Sequence, residues 1–168
     1  MGMMSMENKI AKYFAYGNNM STEQMQRRNV KIHDCEIGTI PGWRICFTRY
    51  SKEWKGGVVD LLPGSEDDWV EGVIYTIDPK DLSTLDGYES RTIKGNMEIG
   101  LYSRVYLPVK TESGWKTVIT YQINRTIEYR EKAHFKPSKK YMELILKGAE
   151  EHGLSQEYVS KLKGWSRL

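Results

Sequence analysis

The chain has 168 residues, 39% of them hydrophobic, a size that supports one compact core. Its 25 basic and 22 acidic residues are interspersed and leave a net charge of +3; Arg27-Arg28 and Lys139-Lys140 are only pairs, so no basic arm or nucleic-acid footprint is expected. Cys35 and Cys46 are too few for a disulfide framework or a Cys-based zinc site, no stretch approaches the roughly 20 apolar residues of a membrane helix, and the start has no leader-like pattern, which together predict an unanchored cytoplasmic protein.

Residues 1–11 read as a flexible start. Tyr13-Phe14-Ala15-Tyr16-Gly17-Asn18-Asn19-Met20 then forms a strand-like aromatic run stopped by Gly17 and two asparagines. Gly17 permits positive φ and close backbone approach, and Asn18 and Asn19 tolerate left-handed or turn conformations. Such a turn is able to point several peptide N–H groups at one spot just ahead of a helix, which suits carboxylates and carbonyl oxygens. A plain strand-to-helix turn has the same sequence character.

Ser21-Thr22-Glu23-Gln24 is a capping box that opens a short helix to about Asn29. Cys35 to Ile40 and Trp43 to Thr48, joined by Pro41-Gly42, read as a hairpin; Tyr50 to Gly57 reads as a loop; Val58 to Leu62, stopped by Pro63-Gly64, pairs in a further hairpin with Trp69 to Ile77. Asp78-Pro79 starts a helix ending near Gly87, and a polar loop runs from Ser90 to Gly100. Leu101, Ser103, Val105, Leu107 and Val109, then Trp115, Thr117, Ile119, Tyr121 and Ile123, alternate at period two around a turn at Glu112-Ser113-Gly114. A polar linker from Asn124 to Pro137 precedes the longest helix, capped at Ser138, with Tyr141, Leu144, Ile145 and Gly148 or Ala149 on one face and Gly153 as its stop. A last helix runs from Ser155 to Lys163. About seven strands, mostly in hairpins, with helices between and after them, predict an α+β fold: a mixed, largely antiparallel sheet curled into a small barrel with helices packed outside, as a single domain over 1–168.

His33, His134 and His152 form no ligand pattern, no segment carries Walker or dinucleotide glycine spacing, and no serine sits in a G-x-S-x-G elbow, so no metal site, phosphate loop or serine-elbow hydrolase is expected. A carboxylate remains as acid or base. Glu89, in Leu85-Asp86-Gly87-Tyr88-Glu89, lies just past a short helix beside a bulky tyrosine, where partial burial would raise its pKa toward neutrality. Taken singly it also reads as an ordinary helix-terminal glutamate.

In order, Tyr13 to Met20, Val70-Glu71-Gly72-Val73-Ile74-Tyr75, Asp81 to Glu89, Pro137-Ser138-Lys139-Lys140-Tyr141, Lys147 to Leu154 and Tyr158 closely resemble the γ-glutamylcyclotransferase-like family. The resemblance runs from about Tyr13 to Leu162. It implies a barrel-like mixed sheet with helices around it, and a cofactor-free enzyme that releases 5-oxoproline from a small-molecule γ-glutamyl substrate. It further implies that Tyr16, Gly17, Asn18, Asn19 and Met20 hold the substrate through backbone N–H groups, that Glu89 is the catalytic acid/base, and that Tyr102 and Tyr141 line the pocket. Asn18 stands where the family usually has Ser, Ser90 where Gly is common, and the segment 91–100, on the leaving-group side, is longer than in compact members. The same pocket would serve a relative acting on another γ-glutamyl adduct, such as a γ-glutamylamine or a biosynthetic intermediate, or a binding module without catalysis. The identity of the leaving amine and the oligomeric state stay open.

Overall fold

The computed structural model describes residues 9–88, 91–94 and 97–165, with the backbone alone over 91–94 and 97–100. Strand β1 (Ala11–Ala15) buries Tyr13, Phe14 and Ala15 together, so both of its faces are covered. It pairs antiparallel with β5 (Trp69–Ile77), whose other edge pairs antiparallel with β2 (Ile32–Pro41). The sheet continues from β2 to β8 (Tyr102–Thr111) through Thr39 opposite Lys110, and from β8 to β9 (Gly114–Ile123). A parallel bridge between Tyr13 and Ile119 returns β9 to β1 and closes a five-stranded barrel. Two ribbons stand apart from it: β3 (Trp43–Ser51) with β4 (Gly56–Pro63), and β6 (Arg91–Lys94) with β7 (Met97–Gly100). The helices are α1 (Thr22–Arg27), α2 (Pro79–Tyr88), α3 (Ile127–Lys132), α4 (Lys139–His152) and α5 (Gln156–Trp165). This is the predicted α+β class, a mixed barrel with helices.

Strand pairing differs from the expected hairpins. The chain does turn at Gly42 (φ +79°), but β2 pairs with β5, and β3 pairs with β4. Burial of every residue from Val70 to Ile77 explains the exchange: β5 is apolar enough to occupy an interior position with a partner on each edge. Val58 to Leu62 is thereby left to pair with β3. The expected loop from Tyr50 to Gly57 is the tip of that ribbon, with Ser51 opposite Gly56 and Lys55 at φ +57°.

Two further segments are more regular than the sequence suggested. The expected polar loop up to Gly100 contains the β6–β7 ribbon, with Thr92 opposite Ile99 and Ile93 opposite Glu98. The expected linker contains α3, which starts where the Thr126 hydroxyl accepts from the Tyr129 N–H at 3.3 Å. Burial along β9 does not follow the period-two set from Trp115 to Ile123. Trp115 is 58% exposed, whereas Val118, Thr120, Tyr121 and Ile123 are all buried. β4 covers the second face near the strand's end, where the Gln122 amide donates to the Leu61 carbonyl and the Ile123 N–H to Asp60. The expected flexible start overlaps β1 by one residue, Ala11.

Asp60 is the fully buried charge that ties the β3–β4 ribbon to the rest. Its carboxylate receives Arg130 Nε at 2.7 Å and the second guanidinium nitrogen at 2.9 Å, the Thr48 hydroxyl at 2.8 Å, and the N–H groups of Leu61 and Ile123. With β3, β4, β9 and α3 all contributing, every oxygen is occupied, the condition under which a buried carboxylate is tolerated. Helix α4 is fixed at both ends, by the Ser138 hydroxyl accepting from the Tyr141 N–H and by Gly153 in the left-handed region (φ +75°).

Candidate active site

The residues Gly17 to Met20 form the corner between β1 and α1. Asn18 to Met20 make a single 3₁₀ turn, with the Met20 N–H on the Gly17 carbonyl at 3.0 Å and the Ser21 N–H on the Asn18 carbonyl at 3.2 Å. Gly17 sits at φ −128°, not in the expected positive-φ region. Its need for glycine comes from close approach instead: a Cβ there would lie 2.5 Å from Val59 Cγ1. The corner is pressed from the other side by α4, where a Cβ on Gly148 would lie 2.5 Å from the Met20 carbonyl carbon. The turn is therefore held between β4 and α4.

Two tyrosine hydroxyls close the wall over this corner. Tyr141, from the first turn of α4, accepts the Val59 N–H at 3.1 Å; Tyr102, from the start of β8, donates to the Val59 carbonyl at 3.0 Å. Both polar groups of one β4 residue are thus satisfied by site side chains. Tyr16 donates its hydroxyl to the Tyr121 carbonyl, and the Asn19 amide donates to the Tyr13 hydroxyl at 2.9 Å.

Together, Tyr16, Gly17, Asn18, Asn19, Tyr102 and Tyr141 line a narrow throat of about 30 Å³, room for about one water. Asn18, Tyr102 and Tyr141 also line an open cleft of about 380 Å³, together with Arg28, Arg49 and Tyr88. Throat and cleft share three residues and form one continuous site. Met20 does not line either part: it is fully buried, its N–H is held by Gly17, and its carbonyl accepts the Tyr75 hydroxyl at 2.7 Å. Burial pushes that Tyr75 hydroxyl far above the ordinary phenol range, so it stays a donor. Glu89 lies outside the described residues. Its neighbour Tyr88 ends α2 on the wall of the cleft.

Sequence reasoning passed over Tyr13, Val59, Thr120 and Tyr121, which complete the throat. It also passed over Asp86. That carboxylate receives Arg104 through two nitrogens and the Tyr121 hydroxyl at 2.7 Å, and so anchors the last turn of α2 to the barrel three residues before Glu89. Asp86 belongs to the quoted Asp-Gly-Tyr-Glu motif, the signal that could have found it. Val59 contributes mainly backbone and leaves no such signal.

A larger groove, about 870 Å³, lies elsewhere, between the 134–139 segment and α4. It touches the cleft at Tyr50 alone and holds none of the throat's tyrosine or turn donors. Size does not make it the reactive centre. Among the described residues no group of three or more His, Cys, Asp or Glu side chains is placed to hold a metal ion, and no helix is long and apolar enough to cross a membrane.

The same arrangement of strands and helices occurs in known proteins. The family model described as the AIG2-like family matches residues 69–162, from the start of β5 into α5. The mouse protein named γ-glutamylcyclotransferase is 30% identical over 96% of this chain and 82% of its own length; the human protein of that name is 30% identical over 90% and 76%. A solved structure of a γ-glutamyl cyclotransferase superposes with a TM-score of 0.75 and 26% identity, over 92% of this chain and 87% of that one. Because the family match spans more than half of the chain and the relatives extend it back through the throat-forming corner at Gly17, the chain belongs to the AIG2-like, γ-glutamylcyclotransferase-like family of enzymes.

Proposed function

We propose that the protein is a γ-glutamyl cyclotransferase that converts a γ-glutamyl amino acid or amine to 5-oxoproline and the free amine. The observation that carries this reading is the convergence of the Gly17–Asn19 corner, Tyr102 and Tyr141 on one throat that opens into a cleft bordered by Tyr88. Names of the relatives support the reaction type. The α-amine of the γ-glutamyl group gives up a proton and attacks its own γ-carbonyl, closing a five-membered ring. The γ-carbon to nitrogen bond then breaks, and the departing amine takes the proton back. No water, metal or redox partner enters the balance.

Glu89 is the acid/base in this scheme, one carboxylate serving both nitrogens in turn. The backbone donors of the Gly17–Asn19 corner face the carbonyl oxygen as it gains charge, a role that contributes about 10² to 10³ in rate. Folding the substrate so that its amine meets its own carbonyl removes much of the entropic barrier. The throat is smaller than a γ-glutamyl group, so binding requires its wall to open. Of the two bridges to Val59, that of Tyr102 is part-buried and that of Tyr141 buried, which makes Tyr102 the side that yields.

The test is to assay 5-oxoproline from a panel of γ-glutamyl dipeptides, glutathione and γ-glutamyl-lysine, with the wild type beside Glu89→Gln. Loss of a positioned acid/base lowers kcat by about 10² to 10⁴ while the isosteric amide preserves shape. Equal turnover by the two proteins removes Glu89 from the mechanism, and no turnover of any substrate removes the cyclotransferase reading.

A further inference from the structure

A β-bulge sits next to an arginine that lines the cleft. In the β3–β4 ribbon Phe47 pairs with Val59 and Arg49 with Val58, so Thr48 is an extra residue on its strand, pinned by its hydroxyl bond to Asp60 at 2.8 Å. Bulges of this kind re-aim the adjoining side chain and are common beside active sites. Arg49 consequently lines the cleft together with Val58, Tyr102 and Tyr141.

Arg49 is half-buried and has no hydrogen-bond or ion-pair partner among the described residues. Among the described residues, the other charged groups on the cleft are Arg28, held over the Tyr88 ring at 4.8 Å, Lys52, and the exposed carboxylate of Glu53. Burial, and after it the like charge of Arg125, disfavours the charged form of Arg49, yet a guanidinium keeps its proton at neutral pH. A partly desolvated cation without a counter-ion is relieved by an anionic group that comes with a ligand.

We propose that Arg49 is the specificity-determining residue for the leaving group and takes a carboxylate carried by the departing amine. The substrates it selects are γ-glutamyl conjugates of anionic amines, namely amino acids or short peptides with a free C-terminal carboxylate. Conjugates of neutral amines lose this contact, and those of cationic amines bring a positive charge among Arg28, Arg49 and Lys52. The bond that is broken rests on the cyclotransferase reading; the charge preference rests on the cleft.

The experiment compares γ-glutamyl-alanine with γ-glutamyl-alaninamide, which differ in that carboxylate alone, on wild type, Arg49→Gln and Arg49→Lys. Two readouts are taken: kcat/KM for 5-oxoproline release, and Kd by calorimetry in the Glu89→Gln background, where the ligands stay intact. A hydrogen-bonded charge contact predicts that the wild type favours the acid by about tenfold to a hundredfold, mostly through KM. Arg49→Gln is expected to bring the acid-to-amide ratio close to one, and Arg49→Lys to retain part of it. Because each ratio is taken on one protein preparation, a loss of folded fraction cancels. A wild type that does not discriminate, or an Arg49→Gln protein that keeps the wild-type ratio, overturns the assignment. Failure of the wild type to release 5-oxoproline from either compound overturns the reaction instead, and the Kd ratios still decide the role of Arg49.

Discussion

At Gly17 a single methyl group would be felt by both stability and chemistry. A Cβ there falls 2.5 Å from Val59 Cγ1, and Val59 is buried with its backbone N–H and carbonyl tied to the two tyrosines, so a retreat of the strand strains both bonds. Gly17→Ala is expected to cost about 1–3 kcal/mol, the range for overpacking a well-filled site, and to raise KM in the 5-oxoproline assay because the corner moves off the throat. An unchanged melting temperature and KM would show that the corner has slack. Asp68 offers a test of a different kind. The Ser65 N–H at 2.8 Å and, after it, the Ser65 hydroxyl hold its carboxyl below the ordinary aspartate range. A carboxylate depressed by folding adds stability that is present above the unfolded pKa of about 3.9 and is lost as pH falls through the folded value. Melting temperature should thus fall more steeply below about pH 4 in the wild type than in Asp68→Asn, and parallel curves would remove Asp68 from the acid limb. Solvent screening at this exposed site keeps the difference small.

At the scale of elements, α4 is the part that connects packing to chemistry. Tyr141 and Gly148 are seven residues apart, two helical turns, so they lie on one face: the first reaches Val59 and the second admits the Met20–Ser21 backbone. Gly148→Ala has to push the helix or the turn by several tenths of an ångström, because the obstructing atoms are backbone. The expected result is reduced kcat/KM with a loss of about 1–3 kcal/mol in stability, read by the 5-oxoproline assay and denaturant unfolding. Wild-type values for both would mean that α4 does not set the corner. This helix was legible in the sequence because its signals are local: a Ser cap, an apolar face and a glycine stop. Strand partners were less legible. Strand-like runs bounded by turn signals located β2, β3, β4 and β5, but the choice between chain neighbours depends on which strand is covered on both faces, and that is decided by elements far along the chain. α3 was hidden because its six residues, Ile127 to Lys132, are mostly polar, and the residue that secures it, Arg130, finds its partner 70 positions earlier. For the site, Tyr16, Gly17, Asn18, Asn19, Tyr102 and Tyr141 line the throat, Met20 does not and Glu89 lies outside the described residues, whereas Val59 and Tyr121 act through backbone contacts and a distant carboxylate, neither of which leaves a local pattern.

Across the whole molecule, the barrel and the β3–β4 ribbon are separate sheets, and the site lies where they meet. What holds them in register is a small set of polar contacts rather than a shared ladder: Tyr102 and Tyr141 on Val59, Gln122 on Leu61, and the Asp60 hub. Asp60 is adjacent to Val59, so any shift at the hub is passed to the wall of the throat. Arg130 supplies two of the bonds to Asp60 and a third to the Leu61 carbonyl at 2.8 Å, with only 7% of its surface exposed. Arg130→Met fills much of the same space but leaves a buried carboxylate without its cation, a change that costs about 3–5 kcal/mol. For a chain of this size that corresponds to a fall of about 10 °C in melting temperature. The ribbon is expected to loosen relative to the barrel before the barrel itself opens, because the five-stranded ladder does not include β3 or β4. Hydrogen exchange then separates the outcomes: amides of β3 and β4 should lose protection in Arg130→Met while those of β1 and β5 keep theirs. Uniform loss across both sheets would show one cooperative unit, and the hub would then be a contributor to overall stability without a special part in positioning the throat.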